Sequence, residues 1–218
     1  MSNTDSFIDE VTEEVRRDKL FALLKRYGWI GVVAVLAIVG GAAWREYSAV
    51  QREAQAEAFG DALRGALEAD APADRAKALE AVAAPGAEAE AVTDLLAASE
   101  LASAEDAAGA TALLDAAAAN GTLPEIYREI AAYKAVSRTD SGLSADERRI
   151  RLEALAVAGK PLRLLAEEQL ALLDIEAGDS AAALEKLQRL MQDAEITAGL
   201  RQRAAQLIVA LGGTPDAG

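Results

Sequence analysis

Hydrophobic and polar positions separate most sharply near the N-terminus. Residues 27–44 read YGWIGVVAVLAIVGGAAW and contain no charged side chain, whereas Lys25 and Arg26 precede them and Arg45 and Glu46 follow them. At a rise of 1.5 Å per residue, a helix over this stretch is about 27 Å long, close to the hydrocarbon thickness of a bilayer. The pattern therefore predicts one transmembrane helix, and a buried core helix is the alternative.

Two sets of residues in this stretch are candidate contact sites. Aromatic rings prefer the membrane–water interfaces, and we expect four of them there: Tyr27, Trp29, Trp44 and Tyr47. Ala37 and Gly41 form a pair of small residues one turn apart, which lets two helix backbones approach closely. The pair is a candidate contact with another helix in the membrane, and the alternative is that it has no such role, because alanine and glycine are common in any transmembrane helix.

Basic residues predict the orientation of the span. Only Arg45 and Arg52 lie just after it, whereas five bases precede it: Arg16, Arg17, Lys19, Lys25 and Arg26. Because loops rich in Lys and Arg stay in the cytoplasm, we expect a cytoplasmic N-terminus and a C-terminal domain across the membrane.

A cleaved signal peptide is the rival interpretation of the same stretch. Gly41-Ala42-Ala43 resembles a cleavage site of small residues. A signal peptide, however, has a short basic region and an apolar run of only about 7–15 residues. Here the preceding region is long and mixed in charge, and the apolar run is longer. The pattern favours an uncleaved anchor.

The remainder of the chain has a helical pattern. Ser6 followed by Asp9 matches a capping box and predicts a helix from near Phe7, and after Trp44 good helix formers continue without proline to Ala69. Ala71-Pro72 ends this helix. A short helix is predicted over about 73–84, and seven more over about 87–103, 105–119, 124–138, 145–158, 161–177, 180–193 and 196–211.

Specific residues mark the predicted breaks. Asn120-Gly121 offers a left-handed stop, and Gly178-Asp179 ends one helix and caps the next. Ser144 with Glu147 is a second capping box. Gly212-Gly213 closes the last helix. Pro124 and Pro161 suit first-turn positions.

The clearest helical hairpin runs from Leu165 to Leu190. It has small or leucine residues on both sides of Gly178-Asp179: Leu165, Leu170, Leu172, Leu173, Ala183, Leu184, Leu187 and Leu190. Moving back by about 73 residues, near two repeats of about 34–37, superposes Asp106, Ala110 and Leu114 on Asp179, Ala183 and Leu187. The pattern indicates stacked helical hairpins, similar to degenerate tetratricopeptide repeats, with a plain helical bundle as the alternative. We expect Ala183 at the crossing of the two helices.

The predicted fold is therefore all-α, with one N-terminal transmembrane helix and an α-solenoid of tetratricopeptide-like hairpins. We divide the chain into five segments: a cytoplasmic stub (1–26), the span (27–44), an extended helix and connector (45–86), the repeat domain (87–212) and a flexible tail (213–218). The extended helix should hold the repeat domain away from the membrane.

Composition narrows the function classes. The chain has no cysteine, which excludes disulfides and thiolate metal sites, and no histidine, so the commonest general base and the commonest metal ligand are both missing. Ser137 with Lys134 and the pair Glu167-Glu168 are interpreted as solvated surface residues. The net charge is −14, of which residues 1–44 contribute −1 and the remainder −13. Such a domain repels nucleic acid and anionic lipid. We expect no enzyme activity, no cofactor, no metal and no small-molecule substrate.

Protein partners are the remaining class. Aromatic residues are only 4% of the chain, yet Tyr127 and Tyr133 share one predicted helix with Arg128 and Lys134. Tyrosine and arginine are favoured anchors in interfaces. Tyr127, Arg128 and Tyr133 are therefore candidate partner-binding residues, and packing of both tyrosines in the core is the alternative.

The combination resembles a known family. A cytoplasmic stub, an uncleaved anchor ending in Gly-Gly-Ala-Ala-Trp-Arg-Glu-Tyr (40–47), an extended helix and degenerate repeats with the Gly178-Asp179 turn are similar to the YfgM-like proteins. These are ancillary subunits of the SecYEG translocon in Gram-negative bacteria. The resemblance runs from about Phe7 to Gly212 and is architectural. It implies an inner-membrane protein with periplasmic repeats that contact the translocon and periplasmic chaperones, and it brings no catalytic motif.

A second function remains open from the residues alone. The same anchor and repeats would serve a scaffold for envelope assembly or cell division. The sequence does not name the partner, so it does not separate this role from one at the export site.

Overall fold

The computed structural model describes the backbone of residues 3–215 and the side chains of residues 25–215. Within these residues the fold is entirely helical, as predicted, with nine helices and no strand. The helices are α1 (Asn3–Ala66), α2 (Pro72–Glu80), α3 (Ala87–Ser103), α4 (Ala107–Ala119), α5 (Glu125–Ser137), α6 (Ala145–Leu155), α7 (Arg163–Glu176), α8 (Ser180–Met191) and α9 (Ala198–Ala210).

The chain divides into two units, Met1–Glu57 and Ala58–Gly218. The first unit consists of α1 up to Glu57. The second contains the end of α1 and all the other helices, and it begins well before residue 87, where the sequence analysis starts the repeat domain. The reason is that Ala66 near the end of α1 and Leu79 of α2 pack with Ala97 of α3 in one core.

The ends of α1 and α2 differ slightly from the predicted ones. α1 begins at Asn3 rather than near Phe7, and the side chains of the proposed Ser6 capping box lie outside the described residues. α1 ends at Ala66, before the predicted Ala69. Pro72 then starts α2, where its missing N–H costs nothing. α2 ends at Glu80 rather than near Ala84.

Three of the predicted helix breaks are present, at Ser144, Gly178 and Gly212. The capping box at α6 is complete: the Glu147 N–H donates to Ser144 Oγ, and the Ser144 N–H donates to Glu147 Oε2 at 2.9 Å. Gly212 adopts φ 80° after α9. Pro124 and Pro161 lie just outside α5 and α7 rather than in their first turns, so each proline ends a loop instead of opening a helix.

The stop after α4 is of a different kind from the one predicted. Asn120 is extended, with φ −73° and ψ 100°, and the left-handed conformation expected at Asn120-Gly121 is wrong. The Asn120 side chain instead accepts hydrogen bonds from the N–H and hydroxyl of Thr122, at 3.0 and 2.7 Å. This local turn satisfies the backbone after the helix end, so no left-handed residue is needed.

The described part of the second unit has four small hydrophobic cores in chain order, and the buried helical residues of each come from three successive helices. They are formed by α1 (its end), α2 and α3; by α3, α4 and α5; by α5, α6 and α7; and by α7, α8 and α9. Each of α3, α5 and α7 therefore contributes to two cores. The result is a row of local cores instead of one central core.

The α3–α4 and α7–α8 hairpins have the same turn. Asp106 caps α4 through Gly109 N at 2.9 Å, and Asp179 caps α8 through Ala182 N at 3.0 Å. The backbone dihedrals of the two aspartates agree closely, with φ −89° and ψ 70° against φ −87° and ψ 74°. Ala110 and Ala183 are fully buried at matching positions, as the superposition of the sequence predicts.

Candidate functional site

The predicted span is an exposed apolar helix. Its large side chains are exposed along the whole stretch. The exposed fraction is 64% for Trp29, 65% for Leu36 and 71% for Trp44. No residue in its most apolar 18-residue stretch is buried. Among the described residues, this is the one helix that is long and apolar enough to cross a membrane. A helix that covers a protein core would have at least one face buried, and this one has none.

Rings at the two ends of the span have polar or aromatic neighbours. The Arg26 guanidinium lies 5.7 Å from the centroid of the Tyr27 ring. The Trp44 and Tyr47 rings lie 6.4 Å apart at an angle of 38°. Amphipathic groups thus bracket the apolar run on both sides, as an interface requires. Their location in a membrane stays a prediction.

The pair of small residues, Ala37 and Gly41, has free space beside it. Ala37 and Gly41 are exposed, and a Cβ added to Gly41 would meet no atom within 4 Å. Contact of this pair with another helix also stays a prediction.

The three predicted partner-binding residues of α5 are only partly exposed. Tyr127 packs against the core of α3, α4 and α5, whereas Tyr133 packs against the core of α5, α6 and α7. Six residues along a helix turn the direction of a side chain by about 120°, so the two rings do not share a face. Arg128 is half-buried, and its Nε has no hydrogen-bond partner among the described residues. The structure does not bring the three together, and partner binding by them stays a prediction.

Arg128 lines a small cavity of about 180 Å³ with charged neighbours. The other charged lining residues are Glu125, Glu129 and Lys160. Glu129 is 5% exposed, and its carboxylate lies 2.7 Å from Lys160 Nζ. Because Lys160 also contacts Glu125, the charges of this cavity compensate one another.

Buried carboxylates on α7 are the feature that the sequence analysis missed. Glu168, interpreted there as solvated, is only 5% exposed. It accepts two hydrogen bonds from Arg203 of α9, each 2.7 Å long. The solvated interpretation is wrong for Glu168, because its position on α7 faces α9 and a bidentate guanidinium satisfies it there.

Asp174 is a second buried carboxylate on α7. It accepts from Arg149 of α6 at 2.8 Å and from Lys186 of α8 at 2.5 Å, so one side chain joins three helices. Burial raises the pKa of Asp174, but the hydrogen bonds from Lys186 and Arg149 outweigh burial and hold its pKa below the usual value. This carboxylate is therefore ionised at neutral pH.

Other ion pairs also cross between helices. Arg148 of α6 donates to Val136 O of α5 and to Glu176 of α7. Arg151 of α6 bonds Asp115 of α4 at 2.7 Å. The signal that could have revealed such pairs is their spacing: Asp115 and Arg151 are 36 residues apart, and Glu168 and Arg203 are 35 apart. These separations are close to one helical-hairpin repeat.

Among the residues whose side chains the structure describes, the charged groups that contact one another mainly form ion pairs. Among them, no group of three or more His, Cys, Asp or Glu is placed to hold a metal. A cavity of about 420 Å³ lies at the starts of α7 and α9, and Arg163 and Glu195 in its lining are paired with each other at 2.8 Å.

Comparison with known proteins adds no identification. No family model matches the chain, and neither does any curated protein or solved structure.

Proposed function

We propose that this chain is a single-pass protein of the bacterial inner membrane whose periplasmic, tetratricopeptide-like domain mediates protein–protein interactions at the Sec translocon. In this role it links export to periplasmic chaperones. The protein is an adaptor, and it performs no reaction of its own.

One observation carries the membrane part of the proposal. The helix over residues 27–44 exposes apolar side chains in every direction. Leaving this surface in water is unfavourable by roughly 25 cal/mol per Å², whereas lipid tails cover it at no such cost. The basic residues before the span support a cytoplasmic N-terminus.

The arrangement of the cores supports the part of the proposal that concerns the tetratricopeptide-like repeats. Each core joins three successive helices, and α3, α5 and α7 each serve two of them. The α3–α4 and α7–α8 turns match in their caps and dihedrals. Stacked hairpins of this kind are typical of solenoids, whose extended surfaces bind other proteins.

The partner class follows from charge and from the resemblance. A domain with a net charge of −13 repels nucleic acid and anionic lipid, which leaves proteins as the favoured partners. The translocon and the periplasmic chaperones come from the resemblance to YfgM-like proteins. In this proposal the span determines where in the cell the protein is located. The helical domain contacts chaperones or client proteins.

Topology is tested with a reporter enzyme that is active only in the periplasm. Fused after Gly218, the reporter should be active, and mature protein should retain residues 27–44. An inactive fusion would contradict the orientation. A mature N-terminus near Trp44 would show that the apolar stretch is a cleaved signal.

The translocon role is tested by exchanging the span. Replacing residues 27–44 with an unrelated span of equal length should keep the protein in the membrane and weaken its copurification with the translocon. Ala37→Leu with Gly41→Leu should do so more mildly, since contacts between helices in lipid are worth about 1 kcal/mol each. Equal copurification by the exchanged protein would remove the role of the span and favour a scaffold for envelope assembly or division.

A further inference from the structure

The outward face of α6 exposes two apolar side chains, Ile150 and Ala154, next to acidic ones. Ile150 is 67% exposed, the most exposed large aliphatic residue of the second unit. Asp146, Glu153 and Ala154 lie within about one turn of it on the same face and are also exposed. The opposite face of α6 is buried through Arg148, Leu152 and Leu155.

The bases of α6 do not offset these acids. Arg149 pairs with Asp174 of α7 at 2.8 Å. Arg151 pairs with Asp115 of α4 at 2.7 Å. Arg148 is buried and bonds Glu176. Asp146 and Glu153, in contrast, form no ion pair with any side chain that the structure describes. The exposed strip therefore has one negative charge about a turn before Ile150 and another about a turn after it, and the arginines of its own helix are all paired.

We infer that this strip is a docking surface for a basic amphipathic helix of a partner protein, with lysines or arginines flanking an apolar stripe. The inference rests on the proposed function and specifies the partner chemistry. The charges argue against the other occupants. A second copy would bring Asp146 and Glu153 against like charges, and an anionic membrane would repel them in the same way. A basic helix would cover Ile150 and Ala154 and pair with both carboxylates.

The test uses the full chain in phosphatidylcholine nanodiscs and a synthetic peptide of about two heptads, with leucine on one face and lysine on the other. Because the chain has no cysteine, Ala154→Cys gives a unique site for an environment-sensitive bimane label. The peptide should change the bimane emission in a saturable way, whereas its own anisotropy should change little with empty nanodiscs. A label at Val209→Cys on α9, whose residue is also exposed, should not respond.

Binding constants from peptide anisotropy then identify the contacts. Ile150→Ser should weaken binding about tenfold, because one buried aliphatic side chain is lost. Asp146→Lys with Glu153→Lys should weaken it at least as much and reduce its salt dependence. Two controls should bind like the original chain: Val209→Ser, and Glu68→Lys with Glu80→Lys, which changes the net charge equally at exposed sites elsewhere.

Several outcomes would overturn the inference. They are no response at position 154, equal binding by Ile150→Ser, equal binding of a peptide with glutamate in place of lysine, and a bimane change that depends on protein concentration without peptide. The last would indicate self-association. None of these outcomes bears on copurification with the translocon, so failure here and failure of the proposed function are separate results.

Discussion

Glu105 and Gly178 occupy the same position in two turns of the domain, and only one of them suits it. Both residues follow the end of a helix in the left-handed region, with φ 63° for Glu105 and 79° for Gly178. In each turn the next N–H, of Asp106 or Asp179, donates at 2.9 Å to a carbonyl in the last turn of the helix. This is a Schellman stop, in which glycine is usual because a Cβ costs about 1–2 kcal/mol in that conformation.

Glu105→Gly should therefore stabilise the domain by about 0.5–1 kcal/mol, the gain at the turn being partly offset by the larger entropy of glycine in the unfolded chain. Gly178→Ala should destabilise it by about 1 kcal/mol. Urea unfolding of residues 45–218 followed by circular dichroism measures both changes. Glu105→Ala is the control, since it removes the carboxylate but keeps the Cβ, and stabilisation by it equal to that of glycine would contradict the conformational explanation.

A second prediction concerns Ala183, which is completely buried on α8. Ala183→Leu should lower the free energy of unfolding by about 1–3 kcal/mol, because the extra atoms have no room between α8 and its neighbours. Ala181→Leu, on the exposed side of the same helix, should change it by less than about 0.5 kcal/mol. Equal effects of the two variants would mean that Ala183 is not at a helix crossing.

The third prediction concerns the ionised Asp174. Asp174→Asn should destabilise the domain by about 1–3 kcal/mol at neutral pH, since charge-assisted hydrogen bonds to Arg149 and Lys186 are lost. The folded pKa of Asp174 lies below the unfolded one, so its contribution is present above about pH 4 and is lost as pH falls through the folded pKa. The difference between the two proteins should shrink on acidification.

Unfolding midpoints in urea between pH 7 and pH 3 measure this difference. Asp140→Asn is the matched control, because Asp140 pairs with Arg138 at the surface and is itself 57% exposed. Such pairs contribute at most about 1 kcal/mol. A difference between wild type and Asp174→Asn that stays constant with pH would contradict an ionised, paired carboxylate.

The fourth prediction places the two tryptophans in the bilayer. The chain has two tryptophans, so Trp44→Phe leaves Trp29 and Trp29→Phe leaves Trp44 as a single fluorophore. In bilayers of brominated lipids, each should be quenched most by bromine near the headgroups and several-fold less by bromine at the chain ends. Leu36→Trp in a chain without the natural tryptophans should show the opposite order. Deep quenching of Trp29 and Trp44 would mean that they do not mark the interfaces.

The sequence predicted the helices well because their signals are local. The breaks at Ser144, Gly178 and Gly212 depend on capping groups and backbone conformations within a few neighbouring residues. The apolar run of residues 27–44 needs only composition and length to be recognised. The correspondence of Asp106 with Asp179 was also visible, since it depends on small and acidic residues at fixed offsets.

The features that the sequence analysis missed depend on distant partners. Glu168 looks like any surface glutamate until Arg203 is placed beside it, 35 residues later. Glu105 adopts a conformation that its own propensity disfavours, because the surrounding hairpin imposes it. The candidate anchors Tyr127 and Tyr133 have suitable chemistry, yet the direction of each side chain depends on which core it meets.

The row of three-helix cores has a consequence for how the chain acquires its structure during synthesis. The buried residues of each core come from three successive helices, so the end of α1 can pack with α2 and α3 as soon as these emerge where the domain folds, before α9 has followed. Each apolar face that is still uncovered is buried when the next hairpin packs against it. Contacts of low sequence separation form fast. A chain with this arrangement needs to leave only about one core uncovered at a time, which limits the opportunity for aggregation before the domain is finished.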